Sequence, residues 1–283
     1  MDRRELADRL AEQFGVDGTR SDAWSAFSTF LPTDEYLNLG YSGRLQSHLV
    51  GSPQARLVDL VAEQLPADTG VLLDVGCGRG GPSRRLASAT AFDVVGLDLV
   101  ADNVRMATDR TASDGPSFLV ADATALPVRT DRVDAAVAVD SFVYVPDKRS
   151  AFGELARVLR PGGEAVITDL LADPTDGVTA ADLDAFADAW DMPVPWSRDR
   201  YRRTLAAAGL GVERRIPLRA HSVGRFRRWT ALFLLLTAGA GRLPFARACT
   251  RYGIDPDRFR SQVRVAHVAL PALDHELVVV TQR

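Results

Sequence analysis

The chain has 283 residues, 46% of them hydrophobic and 25% charged, ordinary globular proportions with enough apolar material for a sizeable core. That length exceeds one typical domain and falls short of two comfortable ones, so a single core with added segments is expected. A formal net charge of −3, with no long run of one sign, offers no basis for a nucleic-acid or anionic-membrane surface.

Leu6, Leu10 and Phe14 recur at every fourth position, which predicts an amphipathic helix over 2–14; this start is charged and is no apolar signal region. An apolar and aromatic patch follows around Trp24, Phe27 and Phe30 and ends at Pro32. Pro53–Gln64 reads as a helix with Leu57, Leu60 and Val61 on one face. From Gly70 strands and helices alternate. Val71–Val75, Val94–Leu97, Phe118–Val120, Val133–Val139 and Ala165–Leu170 read as strands, and Ser83–Ser88, Val104–Thr108 and Arg149–Leu159 as parts of helices. Short apolar runs without alternation, separated by helices, predict a parallel sheet covered on both faces.

After Leu171 the rhythm changes. Helices are expected at Ala180–Trp190 and Arg198–Gly209, a strand at Val212–Leu218, helical structure over 222–265 and a closing strand at Glu276–Thr281. The longest apolar run, Trp229–Leu236 with small residues on to Gly241, is too short to span a bilayer. Cys77 and Cys249 match no metal spacing, and Cys77 sits in a glycine-rich turn. No disulfide is expected, so the default is a soluble protein of the reducing cytoplasm.

The segment most informative about chemistry is Val71-Leu-Leu-Asp-Val-Gly-Cys-Gly-Arg-Gly80-Gly81. A strand runs into a glycine turn, where side chains would block a ligand's approach to the backbone. The turn satisfies two patterns. Gly76, Gly78 and Gly81 fit the dinucleotide G-x-G-x-x-G, while Asp74 with Gly76, Gly78 and Gly80 fits D-x-G-x-G-x-G. A carboxylate at Asp74 would repel a pyrophosphate and suit a cationic ligand. Asp98 ends the second strand, where a carboxylate can accept both ribose hydroxyl hydrogens. Asp122 ends the third and could take a proton from an adenine amino group, or else serve as a turn or cap residue. Such strand-end carboxylates mark the C-terminal sheet edge, where open α/β folds bind ligands.

With these residues the chain resembles class I S-adenosylmethionine-dependent methyltransferases over roughly 36–218, with 276–281 matching their last strand. The resemblance is to the small-molecule group containing sugar O-, tocopherol C- and sarcosine or phosphobase N-methyltransferases. It is carried by Leu37-Asn-Leu-Gly-Tyr41, Leu73-Asp-Val-Gly-Cys-Gly-Arg-Gly80, Val95-Gly-Leu-Asp98, Asp134-Ala-Ala-Val-Ala-Val-Asp-Ser141 and Arg157-Val-Leu-Arg-Pro-Gly-Gly163. These motifs are specific for fold and cofactor and poorly specific for substrate. The resemblance implies an α/β, Rossmann-like methyltransferase sheet of seven strands with an antiparallel last strand. It places Gly76, Gly78 and Gly80 against the methionine part of S-adenosylmethionine, Asp98 at the ribose and Asp122 at the adenine; Leu99 and Ala123 next to them are further cofactor-binding candidates, and Asp140 is expected to support cofactor and loop geometry. Tyr41 would cover the cofactor; Ser42 stands where the group often has tryptophan, which implies a more open wall.

The methyl acceptor is expected beyond the fourth and fifth strand ends, near Asp140-Ser-Phe-Val-Tyr144 and Asp169. Relatives often carry histidine where Tyr144 falls. Tyrosine, with an ordinary pKa near ~10, is a poor base but a good hydrogen-bond partner. His221, just after the sixth strand, is the candidate base by position and by its type's titration near neutrality; His48, His267 and His275 have weaker positional claims. Asp169 could orient an acceptor or simply begin a loop. No His/Asp/Glu cluster has metal spacing, so no metal is expected.

The expected organisation is therefore an N-terminal helical cover (1–50), a core (51–221 and 266–283) and a helical insertion (222–265). Trp229, Phe233 or Phe245 would line the acceptor pocket opposite Tyr144 if the insertion is a lid. A homodimer contact is its alternative use. Arg225, Arg227 and Arg228 read as a solvated face or as a holder for an anionic substrate. The expected function is methyl transfer to an O, N or C atom of a small, partly apolar molecule. A nicotinamide-dependent oxidoreductase, a non-catalytic cofactor-binding module, and a rearrangement with a structural cofactor remain rivals.

Overall fold

The computed structural model describes residues 3–14, 35–43, 52–66, 69–173 and 175–283. The aromatic patch around Trp24, Phe27 and Phe30, and His48, lie outside the described residues. Two helices come first, α1 (Arg3–Phe14) and α2 (Ser52–Ala62). The alternation follows as β1 (Gly70–Val75), α3 (Gly81–Ala89), β2 (Phe92–Asp98), α4 (Ala101–Asp109), β3 (Ser117–Val120), β4 (Val133–Val139), α5 (Lys148–Val158) and β5 (Leu159–Ala172). Then come α6 (Ala180–Ala189), α7 (Arg198–Ala207) and β6 (Leu210–Pro217). Helices α8 (Val223–Leu236), α9 (Arg242–Arg251) and α10 (Pro256–Ala269) precede β7 (Leu273–Gln282), so the helical stretch runs past its expected end at 265.

The strands pair in the order β3-β2-β1-β4-β5-β7-β6. Pairing is parallel from β3 through β5, and β7 runs antiparallel to both β5 and β6. The central strands lack polar alternation because both faces are buried. Leu73, Val75, Ala136, Ala138 and Ile167 pack with α5 and α7 residues such as Phe152, Leu155, Tyr201 and Leu205. Leu72, Val94, Ala135, Val137 and Val139 pack on the other face with Leu57, Val58 and Val61 of α2 and Leu86 of α3. Each wholly buried leucine of this kind is worth about 2–5 kcal/mol against truncation to alanine.

One departure from the sequence reading has a local cause. Pro161-Gly162-Gly163 ends the helix as expected but also lies inside β5. The ladder steps from Val133↔Leu159 to Ala135↔Glu164, so the intervening residues bulge out of register before pairing resumes. The antiparallel direction of β7 has a larger consequence. Its first residues sit beside the last residues of β5, with His275 opposite Leu170 and Glu276 opposite Asp169. A histidine that begins the last strand is thereby delivered to the C-terminal edge of the sheet.

Order reverses across β1, which pairs with β2 on one side and β4 on the other, and this opens a crevice at the C-terminal strand ends. Helix α1 is tied over it: the Gln13 side chain donates to the Trp190 carbonyl at 2.7 Å and Arg9 to the Asp191 carbonyl at 3.2 Å. On the far side α8 and α10 pack with α6 in an apolar cluster containing Phe186, Trp190, Phe259 and Val263. The rings run in sequence from Trp190 to Phe226 to Trp229 to Phe233 and on to Phe245 and Phe259, with neighbouring centroids 5.1–6.1 Å apart. Leu232, Leu235 and Leu236 remain exposed on the outer stripe of α8.

Candidate active site

β1 delivers the chain into the glycine turn. Gly76, Gly78 and Gly80 all have positive φ, at 80°, 54° and 79°. At Gly76 a Cβ would also collide with the Ser141 side chain, so strain and space both exclude other residues. The Gly76 and Cys77 amides donate to the Leu97 carbonyl at 2.7 and 2.9 Å, fixing the turn to the end of β2. Gly76 and Gly78 line a cavity of about 260 Å³ at this edge; Gly80 does not, and packs instead against Ala107 and Phe118 where α3 begins.

Asp74 departs from the sequence reading. It is fully buried beneath the turn and lines no described cavity; its Oδ2 accepts from Ser83 Oγ at 2.6 Å and Oδ1 has no partner. Burial pushes its pKa up to about 7, opposed by the Ser83 bond and aided by Asp98. Asp74 thus supports the loop from behind, outside the lining of both cavities described below.

Asp98, Leu99, Asp122, Ala123 and Asp140 all line the same cavity. Asp98 Oδ2 accepts from the Gly78 amide at 2.9 Å, and Oδ1 from the Val100 amide at 2.9 Å and Asn103 Nδ2 at 3.3 Å. Burial raises its pKa above the ordinary carboxylate value, outweighing the bonds from Val100, Gly78 and Asn103. Asp122 Oδ1 accepts from the Thr124 amide at 2.8 Å and its hydroxyl at 2.7 Å, so the turn role and a place in the lining coexist. Leu6 and Leu10 of α1 roof the cavity.

A second cavity of about 160 Å³ adjoins the first, and Leu37, Asn38, Asp140 and Tyr144 line both. Its remaining walls are largely apolar: Val143, Leu170, Phe186, Trp190, Phe226 and Trp229, with Arg225 among them. Phe226 and Trp229 come from α8; Phe233 and Phe245 lie behind them in the aromatic series and line neither cavity.

Asp140 anchors the junction. It holds a left-handed backbone with φ 54°. Its Oδ1 accepts from Thr168 Oγ1 at 2.6 Å and lies 2.8 Å from His275 Nε2, while Oδ2 accepts from the Leu39 amide at 2.9 Å. Burial would raise this carboxyl, but His275, Thr168 and the Leu39 N–H together hold it below the usual range. An ionised Asp140 needs the proton on Nε2, and His275 Nδ1 sits 2.8 Å from Ser222 Oγ. Burial, then the neighbouring Asp140 charge, raises the Tyr144 phenol well above its normal value, which favours its protonated form and suits a hydrogen-bond donor better than a base.

The other expected residues fall elsewhere. Tyr41 lines neither cavity; its ring packs 5.1 Å from that of His221, and Leu37 and Asn38 of the same segment line the cavity instead. His221 also lines neither: its Nδ1 lies 3.0 Å from the Ser42 carbonyl, pinning the N-terminal segment to the end of β6. Asp169 is buried away from both, 3.6 Å from Nζ of Lys148, the chain's one lysine, whose ammonium also donates to the Phe142 carbonyl. Burial lowers Lys148 and raises Asp169, each opposed by the other's charge. That pair braces the loop carrying Tyr144. His275, Thr168 and Asn38 are site residues that sequence reasoning did not select. The signal for His275 was a histidine opening the antiparallel strand, legible only with the register known. Among the described residues no group of three or more His, Cys, Asp or Glu side chains could hold a metal ion.

Residues 73–167 match a protein-family profile described as a methyltransferase domain. The 27-O-demethylrifamycin SV methyltransferase of Amycolatopsis mediterranei (strain S699) is 34% identical over 183 residues, 62% of this chain and 65% of that enzyme. The O-methyltransferase rstn1 of Aspergillus nomiae is 32% identical over 165 residues, 56% of this chain and 72% of that protein. The chain spans only 58–66% of the length of the rifamycin enzyme and of two further methyltransferase relatives. The crystal structure of the [4+2]-cyclase SpnF superposes with a TM-score of 0.75 at 20% identity, covering 100% of this chain and 97% of that one, a likeness of fold.

Proposed function

The chain belongs to the methyltransferase family, and on that premise we propose that it moves a methyl group from S-adenosylmethionine to an O, N or C atom of a small, partly apolar molecule. The observation that carries this reading is the junction: two adjoining cavities share Asp140 and Tyr144 in their walls. One cavity has the features a nucleoside with a charged tail requires, and the other is an aromatic-walled chamber. A relative named for rifamycin chemistry favours a natural product as the acceptor.

The first cavity fits the cofactor on its own residues. Its glycine turn at Gly76 and Gly78 exposes backbone where side chains would intrude, Asp98 offers carboxylate oxygens for the ribose hydroxyls, and Leu99, Asp122 and Ala123 lie where the adenine would rest. Asp140 supports the loop between this cavity and the next. When bound, the sulfonium supplies an already activated methyl group, so the protein contributes chiefly alignment, worth on the order of 7–11 kcal/mol in well-oriented reactions.

This chain's residues supply that alignment. Phe226, Trp229 and Trp190 hold the hydrocarbon part of the acceptor and exclude water. Tyr144, favoured in its protonated form, donates to an acceptor oxygen or nitrogen. Asp140 accepts the acceptor's O–H or N–H; its low basicity suits an acidic hydroxyl or an amine that arrives neutral, better than an alkanol. His221 and Asp169, in neither cavity, serve as positioning residues in this reading. The reading invokes no metal, so chelation is expected to leave turnover intact.

Incubation with S-[methyl-³H]-adenosylmethionine and a panel of apolar phenols, amines and hydroxy acids tests the reading. Acceptor-dependent tritium in extractable product, matched mole for mole by S-adenosylhomocysteine, is expected. An acceptor converted without formation of S-adenosylhomocysteine would instead indicate a rearrangement on the same fold.

A further inference from the structure

Arg225 is out of keeping with the chamber it lines. It sits among Trp190, Phe226, Trp229, Leu170 and Leu273, on α8. Its Nη2 donates to the Leu39 carbonyl at 2.6 Å, whereas its Nε is buried with no hydrogen-bond partner. Among the described residues no carboxylate pairs with it. The nearby Asp140 is not its counter-ion: the Leu39 peptide stands between them, its N–H on Asp140 and its carbonyl on Arg225.

The surroundings deepen the imbalance. Burial lowers the Arg225 pKa from its ordinary value, and repulsion from Arg56 and Arg228 adds to it. In sequence, the stretch 222–269 that contains it carries nine arginines against two aspartates, a formal excess of seven positive charges in a chain whose total is −3. A partly desolvated guanidinium with an unpaired N–H is costly to maintain unless an anion completes it. The positive charges of Arg56 and Arg228, which act on Arg225, add to the potential that draws an anion toward it.

We propose that the acceptor is an anionic amphiphile, with a carboxylate or phosphate oxygen held by Arg225 and its hydrocarbon body against Trp190, Phe226 and Trp229. The proposal rests on reading the second cavity as the acceptor site. The anion fixes which end of the molecule enters, and so which atom faces Asp140 and Tyr144. Arg225 is then a specificity residue that touches no reacting atom.

The test is a binding measurement followed by tryptophan fluorescence, since Trp190 and Trp229 line the chamber. The probes are 4-cyclohexylbutanoate, 4-cyclohexylbutyl phosphate and the uncharged 4-cyclohexylbutanamide, each with the parent chain and Arg225→Gln, saturated with S-adenosylhomocysteine. The parent should bind one or both anions at least tenfold more tightly than the amide, and that preference should shrink as salt rises. Which anion wins identifies carboxylate or phosphate as the natural group. Arg225→Gln should erase the preference while leaving amide affinity within about twofold. Equal binding of anions and amide by the parent overturns the proposal whether or not the variant folds, as does equal weakening of all three probes by a folded variant. Titration with S-adenosylhomocysteine is read separately. A parent that ignores it would sink the methyltransferase reading without touching the anion preference.

Discussion

Replacement of Asp98 by alanine removes the carboxylate proposed to hold the ribose. That side chain already accepts from two backbone amides at 2.9 Å and from Asn103 at 3.3 Å, and it lines the first cavity. The intramolecular bonds fix its rotamer before any ligand arrives, so little entropy is lost on binding. Charge-assisted hydrogen bonds are worth about 1.5–3 kcal/mol, and water will refill part of the space. A net loss in that range corresponds to about 10- to 150-fold in affinity. Asp98→Asn, which keeps the shape and one acceptor oxygen, should fall between parent and alanine. Calorimetric titration with S-adenosylhomocysteine measures the effect, and a thermal melt confirms that each variant folds. Because burial raises this carboxyl above its ordinary pKa, parent affinity should also decline on acidification earlier than a normal carboxylate would allow. Unchanged affinity in a folded Asp98→Ala variant would refute the placement.

Tyr144→Phe should lower turnover only about 3- to 10-fold with cofactor affinity kept, as befits a lost positioning bond; a loss near 10³-fold would make the hydroxyl a reacting group. His275→Ala leaves Asp140 Oδ1 with Thr168 alone in a buried site, and urea titration should show a loss of about 2–3 kcal/mol. An unaltered midpoint would mean that the pair carries no structural weight. Asp74 has a raised folded-state pKa of about 7 against 3.8, so the stability it contributes is full below pH 3.8 and is lost as pH rises through 7. Asp74→Asn should therefore gain on the parent in relative stability between pH 5 and pH 8, measured by urea midpoints; a pH-independent difference would show that Asp74 titrates normally.

The parallel core was legible because both of its faces are covered: Val133–Val139 reads as a strand from apolar content alone, and its bounds match those observed. Asp98, Asp122 and the glycine turn were legible because strand ends in an open α/β sheet share one edge. What escaped depends on distances between segments remote in the chain. His275 meets Asp140 across 135 residues, and only the antiparallel register of β7 brings them together. His221 looked well placed because it follows β6, yet β6 is an edge strand three places from β4, and the imidazole is taken up by the Ser42 carbonyl outside both cavities. Asp74 followed the motif but not the geometry: the turn folds over it, and Ser83 takes its carboxylate. Trp229 was chosen with Phe233 and Phe245, and helical spacing could not say which ring of that stacked series reaches the chamber.

The central claim is that the shared wall of two cavities is where methyl donor and acceptor meet. A crystal structure with S-adenosylhomocysteine bound tests it most directly. The account predicts the ribose at Asp98, the adenine beside Asp122 and Ala123, and the sulfur directed toward Asp140 and Tyr144 with the aromatic chamber open beyond it. A sulfur facing away from that wall, or a nucleoside lodged in the aromatic chamber itself, would contradict the account.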